Sequence, residues 1–236
     1  MTEEVYCIEP KYGLCNYLRV VFSYLLYCKK YNKNLVVIWN ITDECPGFFL
    51  DYFQPLEGVE FLKTTNPGLK VNFCGDHWHP EYNPYEMFIF SGLQILPHIK
   101  HNLLEKRNKL NKYIAVHIRR TDHSCLAKAM KHYTDDIEFI QFINQHPDYN
   151  LYIATDNIDT QVQFYSLYKD RIKAIEFIRP SNSRRQTTIE EAILDMFICI
   201  QASHFMGSGW SSFTATIEQC RKSIASDLLF DKPVSY

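Results

Sequence analysis

The strongest constraint on this chain is a regular alternation of strand and helix signals that begins after Lys112. The apolar run Tyr113 to Ile118 predicts a strand, and helical spacing of apolar residues predicts a helix from about Asp135 to Gln145. A strand at Leu151 to Ala154, a helix at Ile158 to Tyr168 and a strand at Ala174 to Ile178 follow in the same rhythm. Thr188-Ile-Glu-Glu191 has capping-box spacing ahead of Ala192, Leu194, Phe197, Ile198 and Ile200, which predicts a helix over 189–202. A strand ending at His204-Phe-Met206, a turn at Gly207-Ser-Gly-Trp-Ser-Ser212 and a helix to about Arg221 complete the series. Strands that alternate with helices return by crossover, so the expected architecture is a parallel sheet covered by helices.

Before Lys112 the signals are weaker. Val5 to Ile8 is a short apolar run, Asn16 to Tyr31 has helical periodicity, and Leu35 to Trp39 reads as a buried strand. Residues 40–112 hold most of the prolines and short apolar pieces at 48–53, 59–62, 69–74 and 85–96, so they read as loop-rich. Asn108, Lys109, Asn111 and Lys112 cluster as a hinge and divide the chain into 1–111 and 112–236. At 236 residues and 46% hydrophobic the chain can bury real cores, and a net charge of -2 argues against a nucleic-acid partner held by a basic surface. No apolar run approaches the roughly 20 residues that span a bilayer. The acidic start Met1-Thr-Glu-Glu4 does not resemble a secretory signal, and eight cysteines without a CxxC pair are expected as reduced thiols. The expectation is a cytoplasmic protein with no membrane span.

Several segments could carry chemistry. Val116-His-Ile-Arg-Arg-Thr-Asp122 follows a strand directly, where open parallel sheets bind ligands, and delivers Arg119 and Arg120 there. Guanidinium forks bind phosphate bidentately, although an Arg pair held by Asp122 on the surface fits the same residues. In the Gly207 to Ser212 turn, small residues allow backbone amides, Ser211 and Ser212 to approach a phosphate at a helix N-terminus; a plain capped turn has the same composition. Tyr12-Gly13-Leu-Cys-Asn16 makes a similar loop at the start of the first helix. Asp195 interrupts the apolar Ile193 to Phe197, where a carboxylate must either join a structural network or receive a ligand's donors. Cys74-Gly-Asp-His-Trp-His79 holds four potential metal ligands but has no matching second cluster, so no metal site is expected. Arg184-Arg185 lies in a polar run and reads as a charged loop.

His117-Ile-Arg-Arg-Thr-Asp122 resembles the His-x-Arg-Arg-x-Asp motif of the α1,6-fucosyltransferase family, which groups core and nodulation fucosyltransferases with protein O-fucosyltransferases as distant relatives. Three further segments occur in the family's order. They are Tyr12 to Asn16 with the following helix and Leu35 to Ile38, then Leu151-Tyr-Ile-Ala-Thr-Asp156, then Glu191 to Asp195 through Gly209-Trp-Ser-Ser212. The resemblance covers 12–39 and 114–222.

That resemblance implies an α/β, GT-B-like fold of two facing Rossmann-like halves, with the N-terminal half reduced because the chain is short. It implies an inverting, metal-independent transfer of fucose from GDP-fucose to a glycan hydroxyl, with no cofactor beyond the donor. Two alternatives stay open: a transferase for another nucleotide-sugar on the same scaffold, and an inactive sugar- or nucleotide-binding module. Residues 1–111 would serve the acceptor and 112–236 the nucleotide-sugar. Arg119 would hold the β-phosphate, supported by Arg120; His117 and Asp195 would lie near guanine, and Ser211 and Ser212 with turn amides near the diphosphate. Gly13 and Asn16 would belong to the donor-binding set. After Asp122 this chain reads His123-Ser-Cys-Leu-Ala127, without the carboxylate that eukaryotic members carry there. Asp122 and His123 are therefore the expected proton acceptors for the attacking hydroxyl.

Overall fold

The computed structural model describes residues 4–121, 124–174 and 187–224. The described residues fall into two compact units, those within 1–96 and 218–236 and those within 97–217.

In the first unit β1 (Val5–Pro10) is followed by α1 (Leu14–Lys30), β2 (Asn34–Ile38), β3 (Val59–Leu62) and β4 (Phe73–Gly75). The strands lie in the order β3-β2-β1-β4, each pair parallel. The 59–62 apolar piece is therefore a strand, and Phe73–Gly75 adds another within what read as loop. Both are short edge strands whose pairing, more than their composition, makes them strands. The apolar face of α1 (Leu18, Val21, Phe22, Leu25 and Cys28) is buried, and a fully buried Leu or Val contributes roughly 1.5–3 kcal/mol. Lys29 and Lys30 close the helix where a cation favours its dipole.

The second unit contains α2 (Pro97–Leu110), β5 (Tyr113–Ile118), α3 (Ser124–Ala129), α4 (Asp136–Asn144), β6 (Asn150–Thr155), α5 (Ile158–Tyr168), α6 (Ile189–Gln201), β7 (His204–Gly207) and α7 (Ser212–Ile224), which crosses the division. Its sheet has the order β6-β5-β7, all parallel. The central strand β5 is buried at every residue, as a strand covered on both faces must be. Ile114, Val116 and Ile118 meet Phe139, Ile143 and Phe164 on the α4/α5 face. On the other face the Tyr113 hydroxyl donates to the Ile198 carbonyl of α6 at 2.9 Å.

Both expected helix starts carry full capping boxes, Asp135 with Glu138 on α4 and Thr188 with Glu191 on α6. The division at 96/97 differs from the expected hinge at 111/112. The helix α2 packs on α6 and β6, with Asn102 Nδ2 donating to Glu190 Oε1 at 2.9 Å, so it belongs to the second unit. The strand expected at 174–178 lies, beyond Ala174, outside the described residues, as does Arg184-Arg185. Among the described residues all eight cysteines are free thiols, and no helix is long and apolar enough to cross a membrane.

Candidate active site

The carboxyl ends of β6, β5 and β7 stand side by side, and the polar residues that follow them interlock. The β5–β6 register pairs Ile118 with Thr155, which brings Asp156 level with Arg119. Asp156 is the hub. Its Oδ1 accepts the Arg120 backbone N–H at 2.9 Å, and its Oδ2 accepts Arg119 Nη1 at 3.0 Å, the Thr121 N–H at 3.4 Å and the Thr121 hydroxyl. The carboxylate side chain is 11% exposed while the Arg119 side chain is 22% exposed, so a nearly buried anion carries a cation that reaches the surface. A buried carboxylate is tolerated only when its oxygens are filled with donors, and here they are.

From the other side, the Ser208 hydroxyl after β7 accepts the Arg119 N–H at 2.9 Å, and the Ser208 N–H donates to the His117 carbonyl at 2.9 Å. Arg119 is thus braced by residues following both neighbouring strands. Arg120 faces a different set: its Nη2 donates to Asp136 Oδ1 at 2.6 Å, and its guanidinium lies 4.8 Å from the Tyr133 ring and 5.6 Å from that of Phe139. It anchors the start of α4 to the strand end.

His117 is buried at 5% exposure, its Nδ1 paired with Thr214 Oγ1 at 2.8 Å and its ring 4.6 Å from Phe213. It fastens the first turn of α7 beneath β5. Gly207 fits against the same threonine, since a Cβ there would stand 2.3 Å from Thr214 Cγ2. Ser211 accepts the Thr214 N–H on its hydroxyl at 3.4 Å and the Ala215 N–H on its carbonyl at 2.9 Å, so it caps α7, and Ser212 opens the helix. The Gly209 N–H donates to Thr134 Oγ1 at 2.9 Å.

Asp195 belongs to a second group on the β6 side. Tyr152 Oη donates to its Oδ1 at 2.5 Å, and Asp195 lines an opening with Tyr152, Thr155, Glu191 and Lys106. Gly13 and Asn16 lie in the first unit. Gly13 is the N-cap of α1, its carbonyl taking the Asn16 N–H at 2.9 Å, and Asn16 is half-buried on the first turn. Around the neighbouring strand ends, Glu9 accepts Asn40 Nδ2 at 2.7 Å and the Lys11 ammonium, and Tyr17 Oη donates to the Asn40 carbonyl at 3.1 Å. Burial pushes the Tyr17 phenol up to about 12, which keeps it a donor. Asp122 and His123 lie outside the described residues.

The Cys74 to His79 group does not converge. Asp76 receives Arg19 Nη2 at 3.2 Å, His79 stacks on Tyr27 at 4.2 Å, and burial pulls the His79 imidazole below its usual value. Among the described residues no three potential metal ligands gather.

Sequence reasoning placed Asp156 and Ser208 in segments it singled out but gave neither a role, and it assigned none to Thr214, Thr134 or Asp136. The roles arise through contacts that only register and packing create.

No family model matches the chain, and no curated protein matches it. Solved structures do. The NodZ α-1,6-fucosyltransferase crystal soaked with GDP-fucose is 15% identical, with a TM-score of 0.64 over 93% of each chain. Fucosyltransferase NodZ from Bradyrhizobium is 14% identical, with a TM-score of 0.62 over 92% of each. POFUT1 in complex with GDP is 12% identical, with a TM-score of 0.63 over 93% of this chain and 95% of that one. The α/β, GT-B-like fold class is thereby reached from both directions, and this chain has the fold of the NodZ and POFUT1 fucosyltransferases.

Proposed function

We propose that the protein is a fucosyltransferase that takes fucose from GDP-fucose and passes it, with inversion and without a metal ion, to a glycan hydroxyl. The observation that carries this reading is Arg119, a surface-reaching cation braced by Asp156 and Ser208 across three parallel strand ends. Of the neighbours with this fold, NodZ was soaked with GDP-fucose and POFUT1 was crystallised in complex with GDP.

In this reading the second unit binds the donor and the first serves the acceptor. Arg119 lies against the diphosphate, where its fork offsets the charge that builds as GDP departs. The N-terminus of α7, with Ser212 and the turn amides, supplies further positive potential, which is the work a divalent ion does elsewhere. Arg120 and His117 act through their partners, holding α4 and α7 in place. Asp195 offers two acceptor oxygens suited to guanine N1–H and N2–H₂, with Tyr152 orienting one of them. Asp122 and His123, next in the chain after Thr121, are the groups able to take the acceptor's proton.

The deciding experiment titrates GDP, then follows GDP release from GDP-fucose with and without EDTA. Binding with turnover that survives EDTA is expected. Loss of turnover restored by Mn²⁺ or Mg²⁺ contradicts the metal-free mechanism, and binding without turnover on any acceptor supports a binding module instead.

A further inference from the structure

The turn after β7 carries a residue the nucleotide reading leaves unused. Trp210 has a φ of 59°, left-handed backbone that a bulky side chain rarely adopts and that persists only where the surroundings enforce it. Those surroundings are specific. Gly209, just before it, is tied by its N–H to Thr134, and a Cβ on Gly209 would come 2.3 Å from the His132 carbonyl oxygen. The indole stacks on the His132 imidazole, with centroids 4.9 Å apart and planes at 16°, while 48% of Trp210 is exposed. Strained backbone therefore holds an apolar aromatic surface toward water, the reverse of what burial alone favours.

Its place in the sheet says what that surface could meet. Ser208, two residues earlier, binds the Arg119 N–H, and Ser212, two residues later, opens α7, so Trp210 sits at the rim of the proposed diphosphate site. The strand order β6-β5-β7 puts Asp195 and Tyr152 on the β6 side and Trp210 on the β7 side, with Arg119 after the central strand. A nucleotide-sugar whose base lies toward β6 and whose diphosphate lies on Arg119 extends its sugar toward β7.

We propose that Trp210 is the platform for the hexose ring of the donor. A pyranose presents a face of C–H bonds whose partial positive charge suits the negative face of an indole, and His132 keeps the indole in one orientation. Trp210 is thus a positioning and specificity residue for the sugar, and this assignment rests on the donor reading above.

The test is calorimetric titration of the parent chain, Trp210→Phe and Trp210→Asn with GDP and with GDP-fucose. Asn accepts left-handed backbone, so it removes the ring without straining the turn. GDP affinity should stay within about twofold throughout, while GDP-fucose binding weakens about fivefold in Trp210→Asn and stays near parental in Trp210→Phe. Unchanged GDP-fucose affinity in Trp210→Asn overturns the proposal. Equal loss for GDP and GDP-fucose overturns it too, because the ring would then serve the nucleotide or the turn. Binding of neither ligand by the parent chain defeats the donor reading first and this inference with it.

Discussion

The β1–α1 and β7–α7 turns both leave a parallel strand through an exposed aromatic residue in left-handed backbone, Tyr12 at φ 69° and Trp210 at φ 59°. They differ in what holds them. The first runs into a helix whose N-cap, Gly13, has no side chain to offer, and the Asn16 and Tyr17 N–H groups donate to the Gly13 carbonyl. The second is fixed by hydroxyls from several elements: Ser208 on Arg119, Thr134 on Gly209, Ser211 on α7 and Thr214 on His117. A glycine beside an aromatic residue therefore marks only that the chain turns. Preorganisation comes from side-chain hydroxyls, those of the turn together with those other elements deliver, and that is what an anion-binding site needs, since donors already in place cost no reorganisation when charge develops.

The largest expected effect lies in the second turn's neighbourhood. Arg119→Ala should lower GDP-fucose turnover by on the order of 10²–10³-fold, and Arg119→Lys should not restore it, because a point charge lacks the planar fork. Near-parental turnover in the Lys variant would reduce Arg119 to a structural cation. Next, Gly207→Ala forces a methyl into Thr214 and should cost about 1–3 kcal/mol in denaturant unfolding. If it were neutral, the tight seat of the β7–α7 turn would not be limiting.

Asp195→Asn sharpens the assignment of the β6 side. It should weaken GDP several-fold more than ADP or UDP, since the amide presents a donor where guanine needs acceptors. Equal losses for the three nucleotides, reproduced by Tyr152→Phe, would assign Asp195 to holding Tyr152. The smallest effect belongs to the first turn: Tyr12→Asn should raise stability by up to about 1 kcal/mol, because Asn tolerates left-handed backbone better. A clear loss of stability would show that Tyr12 makes contacts worth more than its strain.

Much of the second unit was legible because its signals are local. The capping box of α6, the helix expected from about Asp135 and the apolar run of β5 appear where periodicity and spacing put them. In the first unit β3 and β4 were not legible as strands, since four- and three-residue segments gain their identity from the partner they pair with. The long helix α2 was missed because its buried residues, Ile99, Leu103 and Leu110, are few and widely spaced among charged ones. It needs α6 to pack on.

By itself the sequence determined the alternating elements, the parallel α/β class and the arrival of Arg119 and Arg120 at the end of a buried strand, because propensity, capping and apolar period act over a few residues. Only the tertiary structure decided how the two arginines divide their work. Register set Asp156 and Ser208 against Arg119, and helix packing set Asp136 against Arg120. Such pairings join residues distant in the chain, and strand register and side-chain packing, rather than any local pattern, choose among them.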